Sequence, residues 1–160
     1  MNPVAELLKV WDIYLDVDAA DKAALLERAA ALLAQRSAAL AGDVLQSLLE
    51  REKLGSTGLG HGVAIPHARM PQCTAGAGVL LRTRTGIAFD APDHRPVTLF
   101  LALLVPKQAT DRHLRLLAGA AAIFSDKPLR DKLKAAPDPA AVVDLLRNWD
   151  EAGAGAAPAG

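Results

Sequence analysis

The stretch Val97–Val105 (VTLFLALLV) constrains the fold more than any other part of the chain. Thr98 is its only polar residue. A strand with one face in water alternates apolar and polar side chains, whereas a continuous apolar run belongs to a strand covered on both faces. Pro106 ends the run, and a span of about 20 apolar residues would be needed to cross a bilayer as a helix. A central strand covered twice needs a layer on each side, and helical patterns flank it in the sequence. Leu25, Leu26, Ala29, Leu32 and Leu33 repeat at helical spacing behind a cap at Asp18, with Asp21 in the first turn. A second helix is read from about Asp43 to Lys53 with the stripe Val44, Leu45, Leu48 and Leu49, and Gly55 falls where a left-handed cap is expected. A third follows the cap Thr110 to about Ser125, with the stripe Leu114, Leu117, Ala118 and Ala121. Shorter helices are read over residues 4–10, 128–134 and 139–148, with Pro139 at a first helical position after Asp138.

Other β-type segments are Ile13–Val17, Val63–Ile65, Ala77–Arg82 and Gly86–Phe89, with turn chemistry at Asp90–Pro96. The short link from Phe89 to Val97 permits an antiparallel neighbour. The pattern therefore predicts an α/β fold, a three-layer α/β/α sandwich with a mixed central sheet. With 160 residues, 51% of them hydrophobic, the chain is long enough for one real core. That domain is expected over residues 1–150, followed by a flexible Ala/Gly tail over 151–160 (EAGAGAAPAG).

Charge and cysteine usage narrow the function classes. Lys and Arg total 18 and Asp and Glu total 18, with no basic block of the kind that nucleic acid requires. Cys73 is the only cysteine, so no internal disulfide forms and a reducing compartment fits. The start MNPVAELLKVWD carries acidic residues and no apolar core of signal-peptide type. These features read as a soluble cytoplasmic protein that is not membrane-embedded.

The stretch that carries chemistry is Arg51–Pro71 (REKLGSTGLGHGVAIPHARMP). Gly55, Gly58, Gly60 and Gly62 free the backbone to aim N–H groups at an anion, and Ser56 and Thr57 add hydroxyls. His67 follows Pro66 at the far lip and is the candidate nucleophile toward phosphorus. The bland alternative is a histidine that closes a strand and bonds a carbonyl. Arg51 offers a bidentate phosphate contact, or else serves only as a helix C-terminal cation. His113, three residues after the cap Thr110, is either a surface histidine or a site residue at the positive end of a helix dipole. His61 and His94 read as exposed turn residues, and Trp11 and Trp149 as residues packed near the chain ends. A metal set of His61, His67 and Cys73 lacks a recognised zinc spacing, so no metal and no cofactor are expected. GSTGLG lacks the G-x-S-x-G nucleophile elbow, and no Lys-Ser/Thr follows the glycines as in a Walker loop.

The run REKLGSTGLGHGVAIPHARMP resembles the active-site signature of the IIA components of the bacterial phosphoenolpyruvate-dependent phosphotransferase system, fructose/mannitol type. The likeness extends from MNPVAELL through FLALLVP and TDRHLRLL to about residue 148, and is greatest to the nitrogen-regulatory subgroup. The resemblance implies that His67 in AIPH is the phosphorylated histidine, His113 the second active-site histidine, and Arg51 the arginine near the phosphoryl group. It places Gly55, Ser56, Thr57 and Gly58 in a phosphate-binding loop. It implies a phosphotransferase that accepts phosphate from a histidine-phosphorylated carrier protein of the HPr/NPr kind. Its phosphorylation state would regulate targets in potassium handling and in nitrogen or carbon control. A sugar-specific IIA that feeds a membrane permease would use the same chemistry, and a pure binding module would never turn His67 over. His61 stands where a residue such as Asn is expected, and Ala68 where Gly is common.

Overall fold

A computed structural model describes residues 2–71, 73, 75–108 and 110–150. The tail over 151–160 lies outside the described residues. In chain order the elements are α1 (Pro3–Leu7), a 3-10 turn (Val10–Asp12), β1 (Ile13–Val17), α2 (Lys22–Gln35) and α3 (Ala41–Lys53). Then come β2 (Gly58–Gly60), β3 (Val63–Ala64), β4 (His67–Met70), β5 (Ala77–Ile87), β6 (Val97–Pro106), α4 (Asp111–Ser125), α5 (Lys127–Ala135) and α6 (Pro139–Asn148).

The apolar run is strand β6, and it is covered twice. Phe100, Ala102 and Leu104 enter one core with α2 and α3, while Leu99, Leu101, Leu103 and Val105 enter a second core with α1, α4, α5 and α6. Successive side chains of a strand point to opposite faces, so each needs an apolar partner layer. That is why the sequence shows no alternation there. Burying one such Leu contributes roughly 1.5–3 kcal/mol. The sheet is mixed, in the order β1-β5-β6-β3-β2, with β4 also paired to β6. β5 runs antiparallel to β6, while β1 is parallel to β5, and β3 and β4 are parallel to β6. The expected three-layer α/β/α architecture is the observed one.

Several details differ from the sequence reading. The segments read as two strands, Ala77–Arg82 and Gly86–Phe89, are one strand, β5, with Phe89 beyond its end. Its register shifts between Arg82 and Ile87, where polar side chains face outward and weaken the β pattern. The cap of α2 is Asp21, whose carboxylate accepts from the Ala24 amide at 2.8 Å, and not Asp18. α1 begins earlier than expected, capped by Asn2, and ends at Leu7. The stripe expected on α4 is rotated. Leu116, Ala120, Ile123 and Phe124 are buried, whereas Leu114 is 46% exposed and Ala118 is exposed. In α3, Leu49 is exposed at 38% while Val44 and Leu48 are buried. Trp11 is 70% exposed rather than packed, whereas Trp149 packs on the second core and donates from Nε1 to Asp126 Oδ2 at 2.8 Å.

The glycine stretch is itself a hairpin. β2 and β3 pair antiparallel, with Gly60 opposite Val63, so His61 and Gly62 form a two-residue turn. Their φ angles are +59° and +79°. A two-residue hairpin of this kind needs positive φ at both central positions, which Gly meets freely and other residues meet at a cost. Asp93 Oδ2 accepts from the His61 amide at 2.8 Å, and Lys134 Nζ donates to the His61 carbonyl at 2.6 Å. The turn is therefore clamped from the β5–β6 loop and from α5. β3 and β4 then continue one line along β6, with Val63 opposite Leu99 and His67 opposite Leu103. Ile65 and Pro66 interrupt that line without changing its register.

Candidate functional site

α3 ends by delivering Arg51 and Glu52 to one edge of the sheet. Arg51 Nη1 donates to the Gly55 carbonyl at 2.9 Å, beyond the last helical turn. Gly55 has φ +147°, a positive value that suits Gly. The Glu52 carboxylate accepts from the Thr57 amide at 3.3 Å and from the Thr57 hydroxyl through a short contact. Lys22, the first residue of α2, pairs with Glu52 at 2.9 Å and stands 4.5 Å over the Phe89 ring. Ser56 donates its hydroxyl to the Phe89 carbonyl at 2.6 Å and accepts from the Gly58 amide at 3.0 Å. The Ser56 and Thr57 hydroxyls therefore hold the loop in shape, and the Gly55, Thr57 and Gly58 amides donate within it.

His67 opens β4. Strand alternation puts Ala68 and Met70 in the first core, so His67 and Arg69 face the side of α4. The ring is half-buried, and Nδ1 lies 2.7 Å from the Ile65 carbonyl. A carbonyl only accepts, so Nδ1 carries the proton and Nε2 carries the lone pair. Burial does most to disfavour the charged ring. The Ile65 hydrogen bond opposes it, Arg51 adds to it, Glu52 opposes it and Arg69 adds to it. The net effect lowers the His67 pKa below the ordinary 6.5, so the ring is neutral at pH 7. The bland reading of His67, a histidine bonded to a carbonyl, is thus part of the geometry. That bond also leaves a nucleophilic nitrogen.

His113 stands at the third position of α4, half-exposed, and closes its cap. The Thr110 amide donates to His113 Nδ1 at 3.3 Å, and the Thr110 hydroxyl lies 3.0 Å from the same atom. With Nδ1 accepting, the neutral ring carries its proton on Nε2. His67 and His113 are therefore held in opposite tautomers, one with an acceptor nitrogen and one with a donor that bond no other group among the described residues. Both lie on the α4 side of the sheet. His113 borders a cleft of about 760 Å³ with Leu7, Gly76, Arg112, Arg115 and Leu116. No hydrogen bond among the described residues joins the two rings.

The structure thus brings Arg51, Gly55–Gly58 and His67 to one edge and sets His113 at the start of the neighbouring helix. His61, His67 and Cys73, weighed as metal ligands, do not converge, and no group of three or more His, Cys, Asp or Glu among the described residues fits a metal ion. His61 and His94 are exposed turn residues, as expected, and both have positive φ. Sequence reasoning missed Glu52, Lys22 and Ile65. The first two are linked across 30 positions of chain by an ion pair, and Ile65 contributes only its backbone. No local pattern marks either role.

The model of the family described as "Phosphoenolpyruvate-dependent sugar phosphotransferase system, EIIA 2" matches residues 6–149. A nitrogen regulatory protein of Pseudomonas aeruginosa is 38% identical over 133 residues, 82% of this chain and 86% of that protein. The crystal structure of nitrogen regulatory protein IIA-Ntr from Neisseria meningitidis superposes with a TM-score of 0.85 at 43% identity, covering 89% of this chain and 98% of that one. The IIA mannitol protein of Escherichia coli, solved in complex with phosphorylated IIB mannitol, shares the fold at a TM-score of 0.73 and 19% identity, over 89% and 98% of the two chains. By these matches the chain belongs to the EIIA 2 family of the phosphoenolpyruvate-dependent sugar phosphotransferase system, and its likeness runs to that family's nitrogen regulatory proteins.

Proposed function

We propose that this chain is a phosphocarrier of the nitrogen-related phosphotransferase system. It accepts a phosphoryl group on His67 from a histidine-phosphorylated carrier protein of the HPr/NPr kind, and its phosphorylation state regulates other proteins. The observation that carries the reading is the His67 ring, kept neutral by burial and pinned through Nδ1 to Ile65, with Nε2 as its lone-pair nitrogen.

In the step, the His67 Nε2 pair forms a P–N bond as the P–N bond of the donor histidine breaks, and that ring nitrogen keeps the departing pair. The His67 ring gains positive character, which the Ile65 carbonyl faces at 2.7 Å. Phosphoryl transfer is mainly positioning plus neutralisation of charge on the equatorial oxygens. Arg51 has donors beyond its bond to Gly55, the His113 tautomer offers Nε2–H, and the Gly55, Ser56, Thr57 and Gly58 loop, whose donors are engaged by Glu52, Phe89 and Ser56, serves to shape the end of α3 that carries Arg51. Among the described residues no helix is long and apolar enough to cross a membrane, which accords with a cytoplasmic carrier.

Incubation with the phosphoenolpyruvate cascade tests the reading. Wild type should acquire acid-labile phosphate and His67→Ala none. No label on wild type would leave only a binding module. Sugar uptake restored in a permease strain lacking its own IIA would instead favour the sugar-specific role. The regulatory part is tested by titrating a target with wild type, His67→Ala and His67→Asp. Phosphohistidine would carry roughly two negative charges, by analogy with other phosphorylated side chains. A target that packs around bare His67 should bind wild type and the Ala form alike and the Asp form weakly. Equal affinity for all three, unchanged by enzymatic phosphorylation, would leave phosphate relay alone.

A further inference from the structure

A continuous line of polar contacts runs from α2 to the His67 ring. Lys22 Nζ pairs with Glu52 at 2.9 Å. Glu52 accepts from both the amide and the hydroxyl of Thr57. The Thr57 carbonyl accepts from the Ile65 amide at 3.0 Å. The Ile65 carbonyl accepts from His67 Nδ1 at 2.7 Å. The Glu52 side chain is 6% exposed and Thr57 is 4% exposed, so the first links are shielded from water. Bonds to a charged group in such surroundings are the stronger ones, and a buried network holds its members to one geometry.

We propose that Glu52 is a positioning residue of the phosphoacceptor site. It fixes Thr57, Thr57 fixes the Ile65 peptide, and that peptide holds His67 in the tautomer that leaves Nε2 free, while Lys22 keeps the carboxylate charge in balance. The inference rests on His67 being the phosphoacceptor. Glu52 acts through other groups and touches no substrate.

Charge gives the device a second effect. The charged groups that act on the His67 ring are Arg51 and Glu52 at the end of α3, and Arg69 on β4. The face of β6 beside it, Leu103 and Val105, is apolar. Glu52 is the anion named in that balance and favours the protonated ring, against Arg51 and Arg69. Lys22 masks it. Removing the carboxylate charge and removing its mask should move the ring in opposite directions, an outcome that loss of packing alone would not produce.

The test uses the whole chain, unphosphorylated, in wild-type, Glu52→Gln and Lys22→Met forms, with Glu50→Gln as a control on the exposed face of α3. The His67 ring is followed by NMR against pH. Glu52→Gln should lower the His67 pKa and Lys22→Met should raise it, with Glu50→Gln near wild type. The Nδ1–H tautomer signature should weaken in Glu52→Gln. Transfer from the phosphorylated carrier should fall about tenfold in kcat in Glu52→Gln, as one charge-assisted bond is replaced by a neutral one, with KM for the carrier little changed. The same His67 titration in all four proteins, or shifts of the same sign in the first two, would overturn the inference. Failure of wild type to take phosphate would overturn the proposed function instead, and the two outcomes are read in separate assays.

Discussion

Gly62→Ala should destabilise the protein through the hairpin tip. Two costs can be worked out from the structure. Gly62 has φ +79°, and an Ala there pays about 1–2 kcal/mol for a left-handed backbone. An added Cβ would also lie 2.9 Å from Lys134 Nζ, closer than real Cβ contacts come. The Lys134 side chain is flexible and would move, but it would lose its 2.6 Å bond to the His61 carbonyl. That bond is exposed, so its loss adds only about 1 kcal/mol. The sum is about 2–3 kcal/mol, or a fall in Tm of roughly 5–10 °C for a domain of this size. Thermal unfolding followed by circular dichroism measures it. Lys134→Met separates the two costs, since it removes the bond and leaves the backbone unstrained, and it should account for the smaller share. A Tm for Gly62→Ala within about 2 °C of wild type would refute the account of the turn. As an internal contrast, Gly42 in α3 has nothing within 4 Å of an added Cβ and no positive φ. Gly42→Ala should raise stability by up to about 1 kcal/mol.

Three further outcomes follow from the site. His61→Asn should stabilise slightly, by a few tenths to about 0.5 kcal/mol, because Asn tolerates the φ of +59° better, and a chemical denaturation midpoint reads it. Arg51→Ala and His113→Ala should keep the fold and slow phosphate uptake, each by about 2–4 kcal/mol on the barrier, as rapid-quench transfer from the carrier would measure. Acid should weaken the fold through His67. Its folded pKa lies below the ordinary 6.5, so between the two values the unfolded chain binds more protons, and stability rises with pH there. The contribution is present above 6.5 and is lost as pH falls through the folded value. Stability curves of wild type and His67→Gln should therefore converge on acidification, and parallel curves would count against it.

How much of this was legible in the sequence depends on whether side chains or backbone carry the information. β6 was plain because every residue from Leu99 to Val105 must find an apolar layer, and the two cores divide them alternately. β2 and β4 were not. Gly58 and Gly60 have no side chains to alternate, and β4 is separated from β3 by Ile65 and Pro66 although both share one register on β6. The buried stripe of α4 is ambiguous in the sequence because Leu114, Leu116 and Leu117 offer more than one face of similar hydrophobicity, and packing against α1, α5 and β6 puts Leu116 in the second core. His67, Arg51 and His113 were legible as candidates by residue type and setting. The opposite tautomers of the two histidines were not, since they depend on the Ile65 carbonyl and the Thr110 cap. Ser56 and Thr57 looked like phosphate donors in the sequence, and their hydroxyls instead bond Phe89 and Glu52.

His67 should take phosphate on Nε2, the nitrogen left over by the Nδ1 bond to Ile65. Phosphorylating the intact chain with its carrier and then mapping the product by tandem mass spectrometry and phosphorus–proton NMR tests it directly. The expected product carries a single phosphoryl group on His67, coupled through Nε2. Phosphate on His113, on any other residue, or on Nδ1 of His67 would contradict it.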